Sequence, residues 1–407
     1  MKRAFRAGIM AMLLPQSVLA STPEAATLPP YSTAYQPRGV DEIGAWQRAD
    51  ESERLLANSP IVIRDPALNA YVRDVLCRTV GADRCNSVRL YILRTPLFNA
   101  SMEANGTMRV YSGLLLRVRN EAELGAVLGH EFGHFEARHT VAGFKAARGA
   151  SDYLSWLAVL SAAAAAWAGG VPSGSGSYRN AELSVYGDLY RFNRDQERAA
   201  DRLGIGYLNA SPLRPQSAAR VWQNLMAETE ASAAAKGLSR PRFDRVLFFA
   251  THPPEAERAA TLAALSRPEG ATRDDGAERY RQNLAPWLPG FLDDQVKLND
   301  FGASDYLITA LAENGWTAPL WRARGDLYRA RGNPRDLVNA ADFYTKAVAL
   351  DPNLAEARRG LGLALLKTGQ ASEGQPHLRR YLELKPDAPD ASMIRMLAGS
   401  TEDEGRR

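Results

Sequence analysis

At 407 residues the chain exceeds one small domain, and two or three domains are expected. Hydrophobic residues at 45% and charged residues at 24% suffice for a sizeable core and exclude a disordered chain. The formal charge is +4, but residues 1–20 hold three basic and no acidic residues, and the remainder carries about +1, which gives no sign of a nucleic-acid partner.

In chain order, MKRAFRAGIMAMLLPQSVLA reads as an export signal. Lys2, Arg3 and Arg6 precede an apolar run, and Val18-Leu19-Ala20 is the cleavage site. A retained amphipathic N-terminus is the alternative. Ser21, not cysteine, follows Ala20, which argues against a lipid anchor there. Residues 21–45 are rich in Pro, Ser, Thr and Gly and form an extended leader. A polar helix is predicted over 42–56. An amphipathic one follows over 65–81, with Leu68, Tyr71, Val72, Val75 and Leu76 on one stripe. Cys77 and Cys85 are the only cysteines. In an exported chain so close a pair reads as a disulfide; two reduced core thiols are the alternative. No Cys-x-x-Cys occurs, so neither a redox centre nor a Cys-rich zinc site is suggested.

Strands are predicted over 87–94 and 107–116, joined by the turn-rich NASMEANG. Residues 120–143 then form a helix capped by Asn120, with Glu123 at the capping-box position. The alanine-dominated stretch 154–170 is slightly short for a membrane span and reads as a buried or surface-lying helix. A flexible loop over 172–179 precedes another helix over 183–210, and the composition breaks over 265–290. Beyond it, AADFYTKAVALDPN and GQPHLRRYLELKPDAP align with Pro352 and Pro386 exactly one 34-residue period apart. Leu350 then matches Leu384, Ala347 matches Tyr381 and Phe343 matches His377. This period is the tetratricopeptide signature, with an ordinary helical bundle as the alternative. Residues 321–333 read as the first helix of the earlier unit, set apart from its partner by a three-residue insertion at 336–338. Residues 298–315 read as one more, degenerate unit.

The chemistry concentrates in LGHEFGHFEARHT. His130 and His134 lie four residues apart on one helix face, so both can reach one metal, and Glu131 lies beside them. Two histidines merely hydrogen-bonded on a helix surface are the bland alternative. Zinc wants a third protein ligand and an open position. The distal candidate is Glu197 in RFNRDQERAADRLG, with Asp201 one turn further to hold the outer N–H of a ligating histidine. A solvated acidic face is the competing reading of that pair. His139 lies nine residues past His130, about 180° around a straight helix, so it is expected to face away from the metal. The pattern HExxHxxGxxH is excluded, since Ala137 and Thr140 stand where it needs glycine and the third histidine. His252, in THPPEAERAA, and Arg258 are candidates to stand near the open position and stabilise an oxyanion. His252 could instead occupy that position, or simply cap a helix start.

Together, DPALNAYV, NASMEANGTMRVYSGLL, NEAELGAVLGHEFGHFEARH, ERAADRLG and THPP with Arg258 resemble the M48 family of HExxH zinc metallopeptidases. The resemblance is to its periplasmic branch with C-terminal tetratricopeptide repeats, in Gram-negative bacteria. It implies an α+β fold: a mainly helical zincin domain with a small β-sheet, followed by an α-helical repeat domain. It implies one zinc ion on His130, His134 and Glu197, with Glu131 activating water and Asp201 supporting the ligands. It aligns His252 with a histidine that lies near the metal in some members. Arg109, Val110 and Tyr111 match the family's substrate-pairing edge, although Ser101, Met102 and Glu103 replace residues that are often hydrophobic. The domains expected are a signal (1–20), a leader (21–45), a peptidase domain (46–265), a helical connection (266–295), repeats (296–395) and a disordered tail (396–407). The implied activity is cleavage of misfolded or unassembled envelope proteins, with the repeats selecting substrates or contacting outer-membrane assembly machinery. Peripheral membrane contact is compatible with this; a transmembrane span is not expected. The alternative is a chaperone or assembly factor with a latent protease site.

Overall fold

The computed structural model describes residues 37–143, 194–243 and 255–399. The predicted signal, the 154–170 stretch, the 172–179 loop and His252 lie outside the described residues.

The described chain begins with α1 (Gly39–Ala57), β1 (Val62–Ile63) and α2 (Pro66–Val80). The side chain of Asp65 accepts the Leu68 N–H at 2.8 Å and Pro66 fills the first turn, so α2 starts where its sequence signals place it. Its Leu68, Val72, Val75 and Leu76 are buried. Gly81 at φ 96° stops the helix, a conformation that glycine adopts without a steric penalty. The chain folds back through α3 (Ala82–Cys85), and Cys77 and Cys85 are joined by a disulfide. Closing a loop this short stabilises the fold by about 2–3 kcal/mol.

Next come β2 (Arg89–Leu93), β3 (Ala100–Met102) and β4 (Thr107–Tyr111). With β1 they form a sheet ordered β1-β2-β4-β3. The β2–β4 pair is parallel, from Arg89 opposite Thr107 to Leu93 opposite Tyr111; the other two pairs are antiparallel. Every residue of β4 is buried, including Arg109, whose charge is met by Glu103 Oε1 at 2.5 Å and Ser52 Oγ at 2.8 Å. The strand predicted to reach residue 116 stops at Tyr111. The Ser112 hydroxyl and the Gly113 N–H both donate to the Thr95 carbonyl, at 2.9 and 2.8 Å, and turn the chain out of the sheet. The three leucines that follow are buried on a short helix, α4 (Ser112–Arg117).

Asn120 caps α5 (Glu121–Glu136), accepting the Glu123 N–H at 2.8 Å. The Glu123 carboxylate reaches back to the Arg119 N–H at 2.8 Å, one residue earlier than a capping box requires. The helix ends seven residues before its predicted limit of 143: Arg138 takes φ 56° and a new helical turn begins at 139. Across α5 runs α6 (Arg194–Ala210), and the crossing is set by glycine. A Cβ on Gly204 would lie 2.8 Å from the His130 backbone nitrogen and 3.0 Å from its Cα. Neither backbone atom can move aside without moving the helix. Gly204→Ala is therefore expected to cost about 1–3 kcal/mol and to weaken metal binding, read by denaturant unfolding and by zinc competition. An unchanged unfolding midpoint and zinc affinity would show that this crossing does not set the site.

The helices α7 (Ser217–Ala235), α8 (Glu255–Leu265), α9 (Ala277–Leu284), α10 (Leu288–Val296) and α11 (Phe301–Leu311) follow. Tyr280, Leu284, Phe291, Leu292 and Ile308 join Val72, Leu114 and Leu124 in one continuous core. Residues 277–295, within the stretch read as a connection, thus contribute Tyr280, Leu284, Phe291 and Leu292 to that core. Arg117 ties the same region together, forking onto Glu228 at 2.7 and 2.8 Å and reaching Gln295 at 3.0 Å.

The C-terminal part stacks α12 (Ala318–Arg331) on α13 (Pro334–Leu350), and α14 (Ala355–Lys367) on α15 (Ala371–Leu384), before α16 (Ala391–Ala398). Leu350 and Leu384 end their helices in the same register, as the 34-residue period requires. The three-residue insertion does not separate the helices of the first pair. It lengthens α13, which has 17 residues where α15 has 14. Tyr344 fills the space left by two glycines: Cβ atoms on Gly325 and Gly360 would lie 2.7 and 2.4 Å from its ring. Among the described residues no helix is long and apolar enough to cross a membrane.

Candidate metal centre

His130 and His134 occupy successive turns of α5, and both are buried. Their Nε2 atoms are 3.1 Å apart. Glu197 enters from α6, with Oε2 3.5 Å from His130 Nε2 and Oε1 3.5 Å from His134 Nε2. Each of the three offers one ligand atom within 4.8 Å of the others. Bonds of about 2.0–2.2 Å at tetrahedral angles put donor atoms about 3.3–3.6 Å apart, so this set fits a tetrahedral divalent ion and leaves a fourth position for another ligand. Glu131, one residue on from His130, is buried on the same turn.

A second layer holds the ligands in place. Asp201 Oδ1 lies 2.9 Å from His130 Nδ1, the nitrogen on the far side from the metal. Arg258, from α8, donates to both Asp201 oxygens, from Nη2 at 2.6 Å and Nε at 3.0 Å. Its guanidinium lies 3.8 Å from the centroid of the Trp222 ring, a cation–π contact from α7. The sequence reading puts Arg258 beside the open position. The side chain is 2% exposed, paired with Asp201 and covered by Trp222, and its Nη2 also lies 3.0 Å from His130 Nδ1 and 3.2 Å from His130 Nε2, the nitrogen that faces the metal. Trp222 itself is missed by sequence reasoning, since nothing in WQNL marks it as a partner for an arginine 36 residues away.

Charge and burial compete in this layer. Burial and the Arg258 charge push the His130 imidazole down, but Asp201 and Glu197 outweigh them and raise it to about 9 without a metal. A metal ion binding here takes the place of that proton. Burial pushes Asp201 up, yet Arg258 and His130 hold its carboxyl well below the usual range.

The sequence places His139 on the far side of the helix from the metal. It does not face away: its Nδ1 lies 3.0 Å from His134 Nδ1, with the two rings edge to face at 5.0 Å between centroids. The break at Arg138 swings it back toward the site.

Arg109, Val110 and Tyr111 are expected to form the edge that pairs with substrate, but β4 is an interior strand with β2 on one side and β3 on the other. The edge strands are β1 and β3, and β3, next to β4, packs against α5. Tyr111 N–H bonds Asn99 O and Glu103 N–H bonds Thr107 O, so by antiparallel alternation the N–H and C=O groups of Ala100 and Met102 point away from β4. Thr140 Oγ1 donates to the Met102 carbonyl at 3.3 Å.

Comparison with known proteins bears on the same residues. Residues 63–266 match Peptidase family M48, and residues 327–399 match a tetratricopeptide repeat. The chain is 27% identical over 230 residues to the beta-barrel assembly-enhancing protease of Escherichia coli K12, covering 55% of this chain and 46% of that protein. It is 28% identical over 179 residues to the protein of that name from Yersinia pestis, covering 42% and 35%. It is 26% identical over 224 residues to the mitochondrial metalloendopeptidase OMA1 of Schizosaccharomyces pombe, covering 54% and 59%. The chain thus spans between about a third and three fifths of these relatives. The first match runs over half of the chain and takes in all three converging ligands, and the chain belongs to peptidase family M48.

Proposed function

We propose that the chain is a zinc-dependent endopeptidase that cleaves extended segments of misfolded or unassembled envelope proteins. The observation that carries this reading is the buried convergence of His130, His134 and Glu197, with Glu131 on the same helix turn. Two imidazoles and a carboxylate are a ligand set that suits zinc and keeps one position open. The chemistry zinc supplies when bound is polarisation of the scissile carbonyl and acidification of the attacking water. Glu131 takes the proton from that water and passes it to the leaving amine. Asp201, held by Arg258, keeps His130 in the tautomer that leaves Nε2 free for the metal. An extended substrate pairs with the outward N–H and C=O of Ala100 and the outward N–H of Met102 on β3, the Met102 carbonyl being taken by Thr140, and this pairing favours unfolded over folded chains. His252 is proposed to lie near the metal on the strength of its motif.

The names of the relatives support substrates among proteins that assemble into β-barrels. The basic and then apolar residues 1–20, together with the disulfide, support export to a periplasm. The repeats, continuous in their packing with α11 and α10, offer a surface for substrates or assembly partners. That continuity also favours a second reading, in which the chain assists assembly without cleavage.

The test is metal removal. Dialysis against a strong chelator is expected to abolish cleavage of casein, and one equivalent of zinc to restore it. Cleavage that survives complete removal of metal would sink the proposal.

A further inference from the structure

We infer that His139 is a positioning residue for the metal: its Nδ1 accepts the Nδ1 proton of His134 and fixes the tautomer that presents Nε2 to the ion. The inference rests on the metal centre described above. A neutral imidazole carries one proton on its two nitrogens. His134 Nε2 points at His130 Nε2 and Glu197, so its lone pair there serves the metal and its proton sits on Nδ1. The atom 3.0 Å from that Nδ1 is the Nδ1 of His139. A hydrogen bond between them requires His139 to be the acceptor, with its own proton on Nε2. The two metal histidines are thus held from behind by different groups: His130 by the Asp201 carboxylate, His134 by a neutral ring.

The backbone makes the same point independently. On an unbroken helix, five residues place His139 about 140° around from His134. Contact is made only because Arg138 adopts φ 56°, a left-handed conformation that side chains other than glycine rarely take. Such outliers persist where the surroundings hold them, and often where function uses them. No glycine or proline forces the break at Ala137–Arg138. What it achieves is to return a buried imidazole to the back of a metal ligand.

The full chain is tested with two variants. His139→Phe keeps a planar ring and removes the acceptor; His139→Asn keeps an acceptor near the same point. Zinc affinity is measured by competition with a chromophoric chelator, and the cobalt-substituted protein by its visible spectrum. Unfolding of the metal-free proteins controls for the fold. The expected result is a loss of about 10–100-fold in zinc affinity for His139→Phe, with an altered cobalt spectrum. His139→Asn should recover most of that loss. Should the phenylalanine variant fail to fold, nitrogen-15 spectra of the zinc-loaded parent decide. They are expected to show the His134 Nδ1 proton coupled across the hydrogen bond to a bare His139 Nδ1. Parent-like affinity and spectrum in His139→Phe, or a proton on His139 Nδ1 in the loaded parent, would overturn the inference. A parent that binds no zinc overturns the metal centre, and this inference with it.

Discussion

Glu131→Gln is expected to lower casein cleavage by a factor of about a hundred or more while the chain retains its zinc. Glutamine matches glutamate in size and can hydrogen-bond, but it cannot take a proton from water at neutral pH. The three ligands lie on other residues, so the metal should stay. Metal content and cleavage, measured on one preparation, separate the proton-transfer role from a structural one. Undiminished cleavage would remove Glu131 from the mechanism. If zinc is lost as well, Glu131 helps to hold the site instead.

Asp201→Ala should be the most destabilising of these substitutions. It leaves Arg258 buried without its carboxylate, against Trp222 and the His130 ring. Removing one partner of such a pair costs about 3–5 kcal/mol. It also releases the outer nitrogen of His130, so zinc affinity should fall by about 10–100-fold. The double variant Asp201→Ala with Arg258→Met removes the unpaired charge. It is expected to regain much of the stability but not the metal affinity. The pH dependence has a defined sign. Because the Asp201 carboxyl is held down in the fold, its stabilisation is complete above the unfolded value of about 3.9 and is lost as acid takes the pH below that value. The Asp201→Ala variant should lack that part of the acid sensitivity. An unfolding midpoint equal to the parent's would show that the pair contributes nothing net.

The local parts of this site are legible in the sequence. Asn120 announces α5, the four-residue spacing of His130 and His134 puts both on one face, and the acidic turn carrying Glu197 and Asp201 lies on a second helix. The repeat was also legible, because its period is a property of the chain itself. What escaped depends on contacts between distant segments or on backbone geometry without a residue signature. No glycine or proline marks the break at Arg138, so His139 reads as facing away. Strand order is non-local: TMRVY looks like an edge until NASM is seen to pair outside it. Arg258 is visible as a charge, but its engagement with Asp201 and Trp222 exists only once α6, α7 and α8 come together. The insertion near Asp336 looks like a spacer, yet its residues continue a helix and extend α13.

Zinc-edge X-ray absorption on the chain loaded with one equivalent of zinc, and on Glu197→Ala, tests the three-residue centre directly. The parent should show imidazole scattering from two histidines and oxygen at about 2.0–2.2 Å, and the variant should lose an oxygen ligand and bind more weakly. A spectrum without imidazole scattering, or one that Glu197→Ala leaves unchanged, would contradict a zinc site built from His130, His134 and Glu197.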